Sequence, residues 1–465
     1  MAGISSLPDE LILNVLSNFE TVRSDEPQAQ AFQEKDHERN RQRENRASQL
    51  ALHTLCLVSR RLNGLGTPFL YASFFGSATN YGLGPVQAFH RTISERSDLA
   101  KHVEYVENRL SDYLGNDLLH TILHEAENIV PEYFRLLGTI ICLSPNLQQL
   151  CVISLENSEI TLWNHIFGAG REVQLPSHGF PKLKKVAFQT NAKDEYVSIH
   201  DGRSFSRICS GLALMPSLLS LEVSGAVCGC SRDFATPFAN LQRVSLNDTM
   251  ASTDEVAMLL LACNRLTHFA CEWVNRYYIS GGVPSILEMG LRKHQHSLET
   301  LSLTARGHFV DGVHVDHTGN LDFPIKYQEF TALTEVTLPR LLLPAKPFML
   351  PYLDTEPLAK FLPASLESLI IENFCLDSTS SFELLAALWT LTRDCPQLLP
   401  RLRQVAVRVR DTDYAMILET TFGDTERQLG GVTRLNEKFE ELGVQFQLVV
   451  EFGFFNVVRI DAALV

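Results

Sequence analysis

Residues 297–303 read SLETLSL, and in them Leu298, Leu301 and Leu303 set a spacing, Leu-x-x-Leu-x-Leu, on which the fold turns. The spacing, with other apolar residues admitted, recurs at Leu147/Leu150/Val152, Leu183/Val186/Phe188, Leu218/Leu221/Val223, Leu241/Val244/Leu246, Leu266/Phe269/Cys271, Leu333/Val336/Leu338, Leu366/Leu369/Ile371 and Leu402/Val405/Val407, nine copies in all. The second and third apolar positions lie two residues apart and share one face of an extended segment, while the first sits where the chain turns into that strand. One such strand cannot bury its own face. Copies beginning roughly 23 to 36 residues apart fit the leucine-rich period, in which each unit pairs a strand with a returning helix and neighbours stack into one core. The expectation is an α/β chain whose repeats form an irregular solenoid, with a parallel sheet on the concave side and helices on the convex side.

At 465 residues, with 45% hydrophobic and 20% charged, the chain is ample for a large core. Forty basic against 54 acidic residues leave a net charge of -14, which argues against broad nucleic-acid or anionic-membrane binding. The opening MAGISSLPDELILNV lacks the basic region, apolar core and small-residue site of a secretory signal, and no run of about 18 apolar residues follows. An intracellular protein, cytoplasmic or nuclear, is expected. Of ten cysteines, Cys142, Cys209, Cys263 and Cys395 stand shortly before a repeat's first leucine, where a small buried thiol suits the bend. Cys228-Gly-Cys230 resembles half a metal clip, but no second pair stands nearby at zinc spacing.

Leu7 to Phe19, LPDELILNVLSNF, carries Leu11, Ile12, Val15, Leu16 and Phe19 three or four apart, an amphipathic helix with Pro8 and Asp9 in its first turn and Ser6 in position to cap it. Residues 20–49 then change character: EKDHERNRQRENR, 34 to 46, has no apolar stripe and reads as a surface insertion, a loop or a solvated helix extension. Periodicity resumes over Leu50 to Leu65, with Leu52, Leu55, Val58, Leu62 and Leu65 on one helical face, followed by FLYASFF as a short extended or helical closing segment.

Leu7-Pro8-x-Glu10-Leu11, Val15-Leu16 and Phe19, then Leu55-Cys56-Leu57-Val58-Ser59-Arg60-Arg61-Leu62, resemble an F-box, and TPFLYASFF resembles the tail common in fungal F-box proteins. The resemblance implies a small all-helical F-box at residues 1–75, a region at 76–146 that caps the solenoid, and leucine-rich repeats over 147–465. It implies a non-catalytic substrate receptor of a cullin-RING (SCF) ubiquitin ligase. Leu7, Pro8, Leu11, Ile12, Val15, Leu16, Leu57, Val58 and Leu62 would then meet the Skp adaptor, while the repeats hold a protein substrate. The charged insertion departs from the short loop usual between the first two F-box helices. The alternative is a leucine-rich scaffold or interaction protein with no role in degradation.

Along the rest of the chain, LAKHVEYV at 99–106 reads as an opening strand with Leu99, Val103 and Val106 inward, and LHTILHEAENIV and PEYFRLLGTIICL as helices, the second with Pro131 in its first turn. STDEVAMLLLAC carries Ser252 or Thr253 as cap with Glu255, a capping box, and SFELLAALWTLTRDC places Leu384, Leu385, Leu388 and Leu391 at helical spacing with Trp389 read as core. Three prolines, Pro344, Pro347 and Pro351, make 341–353 a loop, and the alternation of Val444, Phe446, Leu448, Val450 and Phe452 makes a closing strand.

No phosphate-binding glycine loop, nucleophile elbow or zinc-protease helix occurs, so no enzyme reading has a residue to start from. His308, Asp311, His314, Asp316 and His317 could approach as nitrogen and oxygen donors across a hairpin, but read as a solvated polar loop, without metal or cofactor. The outward strand positions are the substrate candidates: Lys185, Glu222, Arg243, Asn247, His268, Glu272, Thr300, Thr304, Glu335, Glu372, Gln404 and Arg408. Their mixed charge suits a folded protein or peptide, with neither nucleic acid nor membrane as partner.

Overall fold

The computed structural model describes residues 7–24, 35–77, 83–110, 129–154, 159–168, 173–189, 202–225, 237–273, 285–305, 325–339, 358–372, 378–410, 434–452 and 456–460. The chain divides into two compact units, 1–251 with 262–264, and 252–261 with 265–465. Ser6, residues 111–128, Cys228, Cys230, the His308–His317 segment and the proline-rich 341–353 lie outside the described residues.

The first unit opens with three helices, α1 (Asp9–Ser17), α2 (Lys35–Val58) and α3 (Arg60–Tyr71). After them come β1 (Ser73–Ser77), α4 (Gly84–Glu95), α5 (Ser97–Ala100), β2 (Tyr105–Leu110), α6 (Ile129–Leu143), β3 (Gln149–Ser154), α7 (Glu159–Phe167), β4 (Lys185–Gln189), α8 (Gly202–Ala213), β5 (Ser220–Ser224) and β6 (Arg243–Thr249). β1 to β6 pair parallel and in chain order. Val106, Leu150, Val186, Leu221 and Val244 stand abreast, and two positions on so do Asn108, Val152, Phe188, Val223 and Leu246. Helices cover this inner face. Trp163 of α7 meets Phe188 edge-on at 5.1 Å, and Tyr133 of α6 donates to Asn108 Oδ1 at 2.6 Å. Gly76 of β1, opposite Asn108 at the end of that row, leaves no room for a side chain, because a Cβ there would collide with the Tyr133 hydroxyl.

The second unit holds α9 (Thr253–Ala262, apart from its last residue), β7 (His268–Trp273), α10 (Ser285–Arg292), β8 (Thr300–Ala305), β9 (Glu335–Pro339), β10 (Ser368–Glu372), α11 (Ser378–Leu398), β11 (Gln404–Arg410), α12 (434–441), β12 (Gln445–Phe452) and β13 (Asn456–Ile460). β7 to β12 are parallel neighbours in chain order, and β13 turns back antiparallel on β12, a hairpin the closing alternation did not announce. All nine apolar triplets are buried, the most open member, Leu402, at 6%.

Successive repeats are joined by backbone at the turn before each strand. In the first unit the Glu104 carbonyl accepts the Gln148 and Gln149 N–H groups, Gln148 accepts Lys184 and Lys185, and Lys184 accepts Leu219 and Ser220, all between 2.8 and 3.2 Å. In the second, Thr267 accepts Glu299 and Thr300, Glu299 accepts Thr334 and Glu335, and Thr334 accepts Glu367 and Ser368. The residue before the first leucine often adds a side-chain bond to the preceding repeat: Asn146 to the Lys101 carbonyl at 2.6 Å, Asn240 to Pro216 at 2.7 Å, Ser297 to Leu266 and Ser365 to Leu333, both at 2.7 Å.

Several local expectations change. The Leu50–Leu65 face is not one helix: Ser59 is extended (φ -157°, ψ 156°) and its Oγ accepts the Leu62 N–H at 3.1 Å, so a strong N-cap ends α2 and starts α3. Residues 97–100 are helical, so the strand expected at 99–106 starts at Tyr105, and the sheet begins earlier, inside FLYASFF. There Phe74 turns inward onto Phe89 at 4.7 Å. Trp389 is 39% exposed, since it follows Leu388 by one residue and so lies off the stripe of Leu384, Leu388 and Leu391. The Ser252–Glu255 capping box is present, Ser252 N–H to Glu255 at 2.9 Å and Glu255 N–H to Ser252 Oγ at 3.3 Å. Cys209, Cys263 and Cys395 are buried thiols, and burial pushes half-buried Cys142 up to about 11. No described helix is long and apolar enough to cross a membrane.

In the second unit buried His294 links α10 to the turn before β7. Its Nδ1 accepts the Leu266 N–H at 3.2 Å, which leaves Nε2 to donate to the Leu260 carbonyl at 3.0 Å. Burial, helped by Lys293, holds its pKa below the ordinary imidazole value of 6.5 despite the Leu260 bond. Its contribution to stability is therefore complete above 6.5 and is lost as pH falls from there through the lower folded value. Urea unfolding should show a midpoint that falls between about pH 7.5 and about pH 5. His294→Gln keeps a donor and an acceptor but cannot protonate, so the fall should shrink; an unchanged fall would remove His294 from the account.

Candidate functional site

Two surfaces carry the sequence-predicted site residues: the helical head formed by α1 to α3, and the outer face of the strands. In α1, Ile12 and Leu16 are four apart and turn inward, packing with Leu52 and Leu62 beneath Phe19, Leu55, Leu65, Phe69 and Leu70. Ile12, Leu16 and Leu62 are therefore core, which corrects their expected place at a partner. The remaining members face out. Leu7, Leu11 and Val15, again four apart, form an exposed stripe, the last two half open at 51% and 52%, and Pro8 is exposed beside them. Leu57 and Val58, which end α2, are 72% and 67% exposed. Arg61 ties α3 to the start of α1, donating to the Leu7 carbonyl at 2.6 Å and from Nε to Asp9 at 2.8 Å. A head with a filled core thus leaves these five apolar side chains, with Leu13 and Leu50 besides, to water, and exposed apolar surface of this kind marks protein contacts.

On the outer face of the first unit, Lys185 and Glu222 are half-buried and paired at 2.9 Å, a diagonal cross-strand contact, since Lys185 stands opposite Ser220. Arg243 is exposed and Asn247 half-buried on β6. In the second unit His268, Thr300, Glu335 and Gln404 fall in one row, with Glu335 exposed and the others half-buried; Glu272 and Thr304 lie opposite each other, also half-buried. Glu372 is only 6% exposed, 3.6 Å from Arg408 directly across the ladder, so it is a paired group rather than an open contact.

The sequence reading missed what lies on the outer face of β2 and β3. Arg41 and Asn45 of α2, inside the segment expected to be a solvated insertion, are buried, and Arg41 donates to Glu107 Oε1 at 2.5 Å. The second Glu107 oxygen accepts the Tyr105 hydroxyl at 2.5 Å, and burial, with Cys151 and Glu107 alongside, keeps that phenol far above its usual pKa and so a neutral donor. Between helix and sheet runs Val22–Ser24. Asn45 takes the Val22 N–H at 2.9 Å and gives to its carbonyl at 3.0 Å, Arg41 reaches the same carbonyl at 2.7 Å, Tyr105 Oη accepts the Ser24 N–H at 3.1 Å, and Gln149 donates to the Ser24 carbonyl at 2.9 Å. Arg23 adds an ion pair to Glu104 at 3.2 Å and lies 5.7 Å from the Tyr105 ring. The insertion is not a surface loop here, because its charges find partners that make burial affordable. A readable signal existed: Arg41, Asn45, Leu52 and Cys56 are spaced four, seven and four, one helical stripe that changes from polar to apolar.

Among the described residues no group of three or more His, Cys, Asp and Glu could hold a metal. No family model matches the chain, and no curated protein matches it.

A buried ion pair costs most when one partner is removed alone. Arg41→Met should lower unfolding free energy by about 3–5 kcal/mol, while adding Glu107→Leu should restore most of it. Urea denaturation of the single and double variants measures both, and equal losses in the two would contradict the pairing argument.

Proposed function

We propose that the chain is a non-catalytic substrate-recognition subunit of an SCF-type ubiquitin ligase, with an F-box in residues 1–75, a capping region over 76–146 and a leucine-rich solenoid over 147–465. The reading rests on the resemblance of the first 75 residues. The observation that carries it furthest is the exposure of Leu7, Leu11 and Val15 along one side of α1, and of Leu57 and Val58 at the end of α2, on a head whose own core is closed. Such a patch fits the apolar surface of a Skp adaptor, and its neighbours Asp9 and Arg61, tied to each other, would sit at the polar rim of that contact. Catalysis belongs to the partners in this reading; the receptor supplies proximity and orientation.

Substrate contact falls to the outer strand face, where Lys185, Glu222, Arg243, Asn247, His268, Glu272, Thr300, Thr304, Glu335, Gln404 and Arg408 offer mixed charge to a folded protein or extended peptide. The insertion does not oppose the reading, because lengthening a connection adds closure entropy only slowly.

Co-purification with the Skp adaptor tests it. Leu11→Asp with Val58→Asp should abolish binding and leave the circular dichroism spectrum unchanged, since both side chains are outside the core. Ile12→Asp should instead unfold the head. Failure of the intact chain to bind, or binding by the double variant at wild-type strength, would end the ligase reading.

A further inference from the structure

We infer that the insertion is a built-in occupant of the outer sheet face: Val22–Ser24, held by Arg41 and Asn45, closes β2 and β3 to any external partner. This goes beyond the proposed function and stands whether or not the head binds an adaptor.

Three observations converge. The polar contacts are buried on both sides: Arg41 and Glu107 expose 6% and 3% of their side chains, and Asn45 is 4% exposed, so the segment is seated in the face rather than resting on its edge. Its backbone is bonded from both directions, by Asn45 and Arg41 of α2 above and by Tyr105 and Gln149 of the sheet below. The outer face is also composed for being covered at this end. Tyr105, Cys151, Ile153 and Ala187 point away from the helices, yet each is 1% exposed or less and they cluster together with Phe75. On β6 the equivalent positions are Arg243, Ser245 and Asn247, all of which reach water.

α2 makes the closure part of the fold. Its later half supplies Leu52 and Leu55 to the head core, and its earlier half supplies Arg41 and Asn45 to the sheet. From Arg41 to Leu52 the helix spans about 16 Å, so one rigid element is docked at both ends. A protein partner that approaches the outer face of this unit is thereby directed to β5, β6 and the Lys185 end of β4, since Ala187 and Gln189 are buried as well.

Cys151 reports the closure. It stands beside Glu107 in the ladder and is fully buried from the outer side, whereas Cys209 of α8, equally buried, is not part of the outer face. The native full-length chain is treated with N-ethylmaleimide, and the rate at each cysteine, read by peptide mass spectrometry, is divided by its rate in the urea-unfolded chain. In the wild type Cys151 should be as slow as Cys209. Arg41→Ala should speed Cys151 by about tenfold or more and leave Cys209 within about twofold, as local opening requires. Should Arg41→Ala expose both cysteines together, Asn45→Ala, which removes only the bonds to Val22, decides by the same criterion. Fast labelling of Cys151 in the wild type would overturn the inference. So would the absence of a selective rise at Cys151 in both variants.

Discussion

The arrangement depends on the doubled hydrogen bond at each turn. One carbonyl, at Glu104, Gln148 and Lys184 in the first unit and at Thr267, Glu299 and Thr334 in the second, accepts two N–H groups from the next repeat. Because both donors are fixed relative to the strand that follows, the bond sets strand register before any side chain is consulted. A slip of one residue would turn every triplet away from the helices. The triplets are buried because the turn holds them in line, and much of the inequality in repeat length falls after the strands, where the link is short from Ser154 to Glu159 and long from Gln189 to Gly202.

The same constraint distributes chemistry over the outer face. Residues a whole repeat apart in the chain become neighbours across strands: Glu372 faces Arg408, and Lys185 reaches diagonally to Glu222. These are intramolecular pairs first. Their pairing sets what a partner would gain by touching them, since a charge already satisfied offers less than an exposed one such as Arg243 or Glu335.

The inner face was readable from the chain because apolar spacing of two inside a longer period has few other uses, and the helices with a clear stripe, α1, α6 and α9, followed from the same logic. Boundaries were less legible. Ser59 sits in an apolar run that periodicity joins across it, and only its capping bond breaks the helix. The division of the head residues was also hidden: Leu11 and Ile12 are adjacent and equally apolar, and which of them is core depends on where α3 lies. The alternation that places Tyr105 and Cys151 outward is visible in sequence, but what covers them comes from residues more than sixty positions away, in a stretch with no hydrophobic signal.

That stretch marks the limit of hydrophobic patterning as a guide. Burial is favourable for apolar groups without further condition, so a pattern of leucines announces a core wherever it occurs. Burial of Arg41 is favourable only in the presence of Glu107, and Glu107 is itself tolerable in a sheet because Tyr105 occupies its other oxygen. Each member is unremarkable alone, and a charged helix reads as solvated until its partners are located. The stripe of Arg41, Asn45, Leu52 and Cys56 therefore joins two kinds of contact on one helix: a non-specific one that holds the head together, and a specific one that accepts a single seat on the sheet. Apolar packing alone would let α2 slide or rotate at modest cost, whereas an arginine that must meet one carboxylate permits one position, which is how a polar contact fixes the relation between head and strands.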